Sequence, residues 1–396
     1  MAKMEYTWPA ESFDAIGIRA RDVNINVKGI DGDEARLEVN GDKKRLSKLQ
    51  VDLLGYWLWI SAPASSRDLR FTLLLPEKKV WLIDLYAHNT NFHAENTRAR
   101  LNLILGKGEV QLKNCSGAFS LASGTAKVLL KCFSEEEVPE MPPLPDSERK
   151  GRKSAGIYMS WGKDDWSQWG LEFSEKMLIG FLGQSGGTGQ HHGINVKIGK
   201  GDLQIEEIEA TSFIVRSARS TVKMKEVCAA NLDLKIIKGD IESRACTPGD
   251  DWKIRTHYGN ITLSFSMDID ARLDATTRFG NIRSVTPLVR VTRQGPGSGH
   301  GGRMVGIIGS TPDKKQKIPE IRVSTLRGDI IIEAKQPASR FSEKPAPPES
   351  PPPPPPSIVD SYQTNIAVLE ALSEGRITVS EAEKILDSLE SREKAT

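Results

Sequence analysis

Apolar residues in this chain recur at every second position, break at a small residue, and then resume. In IRTHYGNITL (254–263), Ile254 and Thr256 precede the pair Gly259–Asn260, and Ile261 and Leu263 follow it. Five other stretches repeat the pattern: VKIGKGDLQI (196–205), VRSARSTVKM (215–224), LKIIKGDIES (234–243), ATTRFGNIRS (275–284) and VSTLRGDIII (323–332). Their turn residues are Gly201, Ser220, Gly239, Gly259, Gly280 and Gly328, at successive spacings of 19, 19, 20, 21 and 48. Alternation on both sides of the turn is strand periodicity with one face inward. Glycine enters left-handed backbone without a Cβ clash, and Asn or Asp tolerates the same region, so each pair reverses the chain at a fixed place. An antiparallel meander would place turns every 8–12 residues. Columns that stay chemically alike at a period near 20 instead predict a β-solenoid, an all-β stack of coils of about 16–21 residues.

Fainter copies occupy the N-terminal half, centred on Arg21, Thr90, Gly108 and Gly124. Nine or ten coils about 4.8 Å apart would make a rod on the order of 45 Å long. Its ends need covers, for which the aromatic start (Tyr6, Trp8) and the region after residue 333 are candidates. The apolar run VDLLGYWLWISA (51–62) is too short to span a membrane and reads as a buried strand. The predicted organisation is a solenoid-like region 1–133, an insert 134–193, a second solenoid region 194–336 interrupted by a loop 293–319, a Pro-rich tether 337–357 and a tail 358–396. In the tail, Leu369 and Leu372 suit one helix face, Gly375 ends that helix, and Thr378 with Glu381 caps a second carrying Ile385 and Leu389. That is an α-helical hairpin too small to hold a core alone, so it must dock on something.

Residues 196–335, with DIDARLDATTRFGNIRSVTPL, GIIG and IRVSTLRGDIIIE, resemble the bacterial putative-adhesin domain family of unknown function. The tail motif VLEALSEGRITVSEAEKILDSLE is similar to the short helical domain often joined to it in cell-envelope-stress proteins. The resemblance implies a β-solenoid and a non-enzymatic interaction role, and it carries over no catalytic residue. The tryptophan-bearing insert, and a helical domain placed behind a polyproline tether, depart from the family pattern.

Charge adds little to this picture, since 54 basic residues balance 52 acidic ones to a net of +2. Such a chain has no global field of the kind that gathers nucleic acid. The start has neither a basic-then-apolar run nor a cleavage site, which points to a cytoplasmic protein and leaves only peripheral contact with membranes. Cys115, Cys132, Cys228 and Cys246 are too few for a disulfide scaffold, and each pair falls one coil apart, as a buried ladder would. Gly297, Gly299 and Gly302 spell a dinucleotide fingerprint without the helix it needs, and adjacent His191 and His192 lack metal-ligand spacing. Trp161, Trp166 and Trp169 offer a sugar-stacking platform or partner anchor, or else pin the insert to the rod. Solenoid hydrolases and lyases gather carboxylates on one outer face. Here the turn column stacks Asp202, Asp240, Asn260, Asn281 and Asp329, which turn conformation already explains. The expected function is therefore interaction or scaffolding, with no cofactor or metal, and with the hairpin recruiting a protein partner or a second copy. The rival is a carbohydrate-binding or carbohydrate-active solenoid.

Overall fold

The computed structural model describes residues 2–62, 69–139, 193–265, 269–285, 288–294, 301–309 and 318–334. The chain divides into two units, Met1–Pro337 and Ala338–Thr396, and every described residue belongs to the first. The polyproline tether and the expected helical hairpin lie outside the described residues.

Alternating burial builds strands that stack in parallel coils. β1 (Ala2–Pro9), β2 (Ala15–Ile30) and β3 (Glu34–Gly41) come first; a one-turn helix, α1 (Lys43–Leu46), then leads to β4 (Gln50–Leu54), β5 (Trp57–Ser61) and β6 (Leu69–Pro76). β7 (Trp81–Glu95) lies parallel on β2, pairing Val23 with Thr90, and β8 (Arg98–Glu135) lies parallel on β7, pairing Thr90 with Gly108. β8 winds past a full coil, so that Ser116 N–H donates to the Thr97 carbonyl at 3.0 Å. β9 (Ile194–Lys238) continues the stack, pairing Gly201 with Ala126, and β10 (Ile241–Tyr258) follows, pairing Ile241 with Val222. Val196, Val215, Leu234 and Ile254 form one buried file, and Leu203, Val222, Ile241 and Ile261 form another. These files are the core.

The order of the coils departs from the order of the sequence. β11 (Ile261–Phe265) pairs Ile261 with Ile241 as expected. Its other neighbour is not the next coil, β12 (Ala271–Phe279) with β13 (Ile282–Ser284). The last coil, β16 (Glu320–Arg327) with β17 (Ile330–Ala334), is interposed, pairing Ile330 with Ile261 on one side and with Ile282 on the other. The file therefore runs Ile241, Ile261, Ile330, Ile282, and the sequence-order expectation is corrected by one intervening layer. Ile282, near the end of the stack, is only partly buried.

Both ends close with antiparallel strands. At the first, β5 and β6 lie on β2, β4 folds back on β5, β3 on β6 and β1 on β3. The run 51–62 is thus a hairpin turning at Gly55 and not one buried strand, and β4 is largely exposed. Tyr6 and Trp8, stacked with ring centroids 5.7 Å apart, do belong to an end cover. At the far end the cover is β15 (Gly302–Ile308) against β12 and β14 (Leu288–Gln294) against β15. Two parts of the expected loop 293–319 are therefore strand; β17 is an internal layer, and the expected cap after residue 333 lies, apart from Ala334, outside the described residues. Arg303 clamps β15 in place through Nε to Asp274 Oδ1 at 2.9 Å and Nη2 to Oδ2 at 2.7 Å.

Where glycine holds the turn with positive φ, the coils approach too closely for a side chain. A Cβ on Gly239 would sit 1.9 Å from the Ser220 carbonyl oxygen, and one on Gly328 would sit 2.0 Å from that of Gly259. Gly32 has nearly the same φ (+138°, against +140° at Gly239) but faces open space. Gly239→Ala should therefore cost about 2–3 kcal/mol, and Gly32→Ala only the torsional part, about 1 kcal/mol, in denaturant melts. Equal losses would show that torsion, not the neighbouring carbonyl, sets the requirement. The coil order has its own test. Thr262 and Arg283 each pair with Ile331 and flank it. A Thr262→Cys/Ile331→Cys pair should oxidise to a disulfide, while Thr262→Cys/Arg283→Cys, two strands or about 9.6 Å apart, should not. The reverse pattern in mapped cross-linked peptides would restore sequence order.

Candidate interaction surface

One corner of each coil is this turn, held by glycine at 201, 239, 259, 280 and 328 and by Thr90, Ala126 and Ser220 in other coils, and its two flanks carry different chemistry. On the inner flank, three positions before the glycine, Thr256, Thr325 and Thr277 are buried. Their hydroxyls donate to the carbonyls of Gly239, Gly259 and Gly328 in the preceding layer, at 3.3, 3.2 and 3.1 Å. Ser217 and Ser220 instead hydrogen-bond hydroxyl to hydroxyl within their own coil. On the outer flank the Asp and Asn side chains form a ladder. Asp240 Oδ1 accepts from Asn260 N–H at 2.7 Å, Asn260 Oδ1 from Asp329 N–H at 2.9 Å, and Asp329 Oδ1 from Asn281 N–H at 2.7 Å. Each carboxylate or amide thus satisfies the backbone donor that the turn exposes in the next layer.

All five predicted turn glycines, Gly201, Gly239, Gly259, Gly280 and Gly328, occupy this corner with positive φ. Two fainter assignments shift. Ala126, not Gly124, pairs with Gly201, and Val23, not Arg21, pairs with Thr90. A slip of two residues keeps the same face inward, so the alternation alone could not detect it.

A second corner escaped the sequence reading. Asn96, Asn114, Cys132, Glu207, Glu226 and Ala245 all hold left-handed backbone, with φ between 50° and 55°. Their register is consistent: Lys131 pairs with Glu206 and Phe133 with Ile208, which sets Cys132 beside Glu207. Only the two asparagines hint at such a backbone. This corner also corrects the cysteine ladder. Cys115 and Cys246 lie one residue past it and point inward; Cys132 stands on it, its thiol 3.0 Å from Glu207 Oε2. Cys228 lies two past the corner, exposed and paired with Thr247. All four thiols are free. Burial pushes the thiols of Cys115 and Cys246 up to about 11, so both stay protonated at neutral pH.

The residue just before each turn is exposed and runs as a file: Lys200, Arg219, Lys238, Tyr258, Arg327, Phe279. The Arg327 guanidinium lies between two rings, 5.9 Å from the Tyr258 centroid and 5.7 Å from that of Phe279. Beside Lys200, Arg219 and Lys238 is a shallow depression of about 260 Å³ floored by Gly201, Ser220 and Gly239. Among the described residues no three His, Cys, Asp or Glu side chains gather as a metal would require, and no helix is long and apolar enough to cross a membrane. Trp161, Trp166, Trp169, His191, His192, Leu369, Leu372, Ile385 and Leu389 lie outside the described residues. Replacing Asp240 by Ala strands the Asn260 amide and should lower stability by about 1 kcal/mol. Asp240→Asn, which keeps an acceptor oxygen, should lower it by less than half that in the same melts; equal losses would mean that charge and not the hydrogen bond matters.

Comparison with known proteins adds the family. Three solved structures align with most of the chain at 10% identity: a putative cell adhesion protein from Clostridium sporogenes and putative adhesins from Bacteroides fragilis and Parabacteroides distasonis. Each alignment covers 84% of this chain and 99%, 97% and 97% of the other, with TM-scores of 0.18, 0.32 and 0.32. No curated protein matches. The Toastrack DUF4097 profile matches residues 13–333, which takes in the first end cover apart from β1, the coils and the interposed last layer. The chain therefore belongs to the Toastrack DUF4097 family, of unknown function.

Proposed function

We propose that this chain is a non-enzymatic interaction protein, a stacked β platform joined to a tail that recruits a protein partner or a second copy. The observation that carries the reading is the fate of the outer carboxylates. Asp240 and Asp329, the groups a solenoid hydrolase would bring to bear on substrate, are engaged with backbone amides of the next coil. A carboxylate tied to a peptide N–H as a rung of the ladder is a structural acceptor, while general acid–base work needs a pair held free across a reacting bond. The exposed Tyr258–Arg327–Phe279 stack, by contrast, has the residue types that dominate binding hot spots. Four free thiols suit a reducing, cytoplasmic setting. A place in envelope-stress signalling follows from the tail's resemblance and from nothing in the coils.

The boundary between the two units falls at Pro337, next to the proposed tether. A chain ended at residue 336 should keep the full chain's β-sheet circular dichroism and melting temperature but lose partner capture in affinity purification. Capture that survives the truncation would move the recruiting function onto the coils. Release of sugar from acidic or neutral polysaccharides would instead favour the carbohydrate-active reading. Glycan binding abolished by Trp166→Ala with Trp169→Ala would favour the carbohydrate-binding one.

A further inference from the structure

Four consecutive coils repeat a second pattern, a cation four residues before the turn and another just before it. The pairs are Lys197 and Lys200, Arg216 and Arg219, and Lys235 and Lys238; in the fourth coil Arg255 is followed by Tyr258. Buried Val196, Ile198, Val215, Ser217, Leu234, Ile236, Ile254 and Thr256 alternate with the first member of each pair, which turns it outward. Strand stacking then lines the cations up in two files about 4.8 Å from row to row and up to about 10 Å apart. Lys235 pairs directly with Arg255 across the strands.

Like charges in adjacent strands oppose folding, and where cations face each other elsewhere in the sheet, as Lys225 faces Arg244 and Lys253 faces Arg322, a carboxylate on one of the strands stands beside them. Lys131 meets Glu206, Arg244 meets Glu242, Lys253 meets Asp251 and Arg322 meets Glu320. On the cation files, Arg216 binds Asp233. Among the described residues Lys200, Arg219, Lys235, Lys238 and Arg255 reach no carboxylate. Asp202 and Asp240 stand beyond the corner, so these five cations gather among the described residues without a carboxylate, in a chain whose net charge is only +2. Crowding is felt within the patch, since burial first and the nearby Arg216 second lower the Lys197 pKa.

Apolar side chains are set among these charges. Ile237, between the two files, is 41% exposed, and Tyr258 and Phe279, farther along the outer file, are 45% and 49% exposed. The surface they share is a sheet face and its rim, which carries the shallow depression at Lys200. Cations interleaved with exposed aliphatic and aromatic groups on such an open face suit a plane of acidic headgroups, in which the charges meet phosphate and the rings sit at the interface. A linear polyanion would be better held by a channel.

We propose that the face formed by Lys197, Arg216, Lys235 and Arg255 and the rim formed by Lys200, Arg219 and Lys238 dock the protein on an anionic phospholipid bilayer. The proposal rests on the platform reading and names the surface on which the platform is mounted. Its test uses the full chain with sedimented vesicles of phosphatidylcholine, alone or with about one third phosphatidylglycerol. The chain should pellet with the acidic vesicles only, and salt near 0.5 M, where the Debye length is about 4 Å, should release it. Lys235→Glu/Lys238→Glu/Arg255→Glu should weaken the partitioning by at least about tenfold. Lys223→Glu/Lys225→Glu/Arg244→Glu makes the same charge change at exposed positions past the corner and should retain it within about threefold. No pelleting with acidic vesicles, or equal losses in the two variants, would overturn the proposal. So would binding to soluble heparin or polyphosphate without binding to vesicles. Failure here with tail-dependent capture intact would leave the platform reading standing, whereas loss of capture alone would leave the membrane face standing.

Discussion

The structure depends on how closely one coil can lie on the next at the glycine corner. Neighbouring strands are held about 4.8 Å apart by their ladder hydrogen bonds, and at the positive-φ glycine turns that spacing leaves no room for a methyl group. A Cβ at Gly201, Gly239, Gly259, Gly280 or Gly328 would come within 1.7 to 2.0 Å of a carbonyl oxygen below it. The same closeness lets a threonine hydroxyl on one side and an Asp or Asn oxygen on the other reach across to the adjacent layer. Steric exclusion and hydrogen bonding thus act on the same few atoms, and the register of the whole stack follows from them. Buried aliphatic files contribute most of the apolar area, but Val, Leu and Ile interchange along those files without changing the geometry. The corner does not permit such exchange at Gly201, Gly239, Gly259, Gly280 and Gly328, while Thr90, Ala126 and Ser220 hold the same position in other coils.

Legibility in the sequence tracked this division. Gly259–Asn260, Thr256 and their equivalents could be read because each position demands a particular chemistry. Alternation of Ile254, Thr256, Ile261 and Leu263 identified strands and the inward face. Features sustained by interchangeable residues could not be read. Ile261 accepts Ile330 or Ile282 as a neighbour equally well, so the true order of layers left no mark in the aliphatic columns. The second corner is occupied by Asn, Cys, Glu and Ala, united only by backbone conformation, and the cysteine ladder failed on that one-residue offset. The strand at Gly302–Ile308 was hidden by glycines that read as loop, although Met304 and Ile308 are buried against β12.

The cation files show the same limit from the other side. Their spacing was present in the sequence, but near-neutral overall charge said nothing of how it is distributed. What distinguishes the patch is the company each charge keeps. Lys253 and Lys235 lie in adjacent layers and each faces an arginine, Arg322 and Arg255, yet Lys253 also stands 2.7 Å from Asp251.

The interposed last layer has a consequence for how the molecule is made. Synthesis runs from the N-terminus, so the segment 271–285 emerges before residues 320–334, which will separate it from 251–265. During that interval the earlier segment meets a vacant edge whose threonine, glycine and asparagine match its own, and docking there would satisfy nearly every local rule. Completion of the native stack then requires either that this edge stay open or that a finished contact be undone. The stack of coils is completed by a wedge driven between two layers, not by a final layer added to an end.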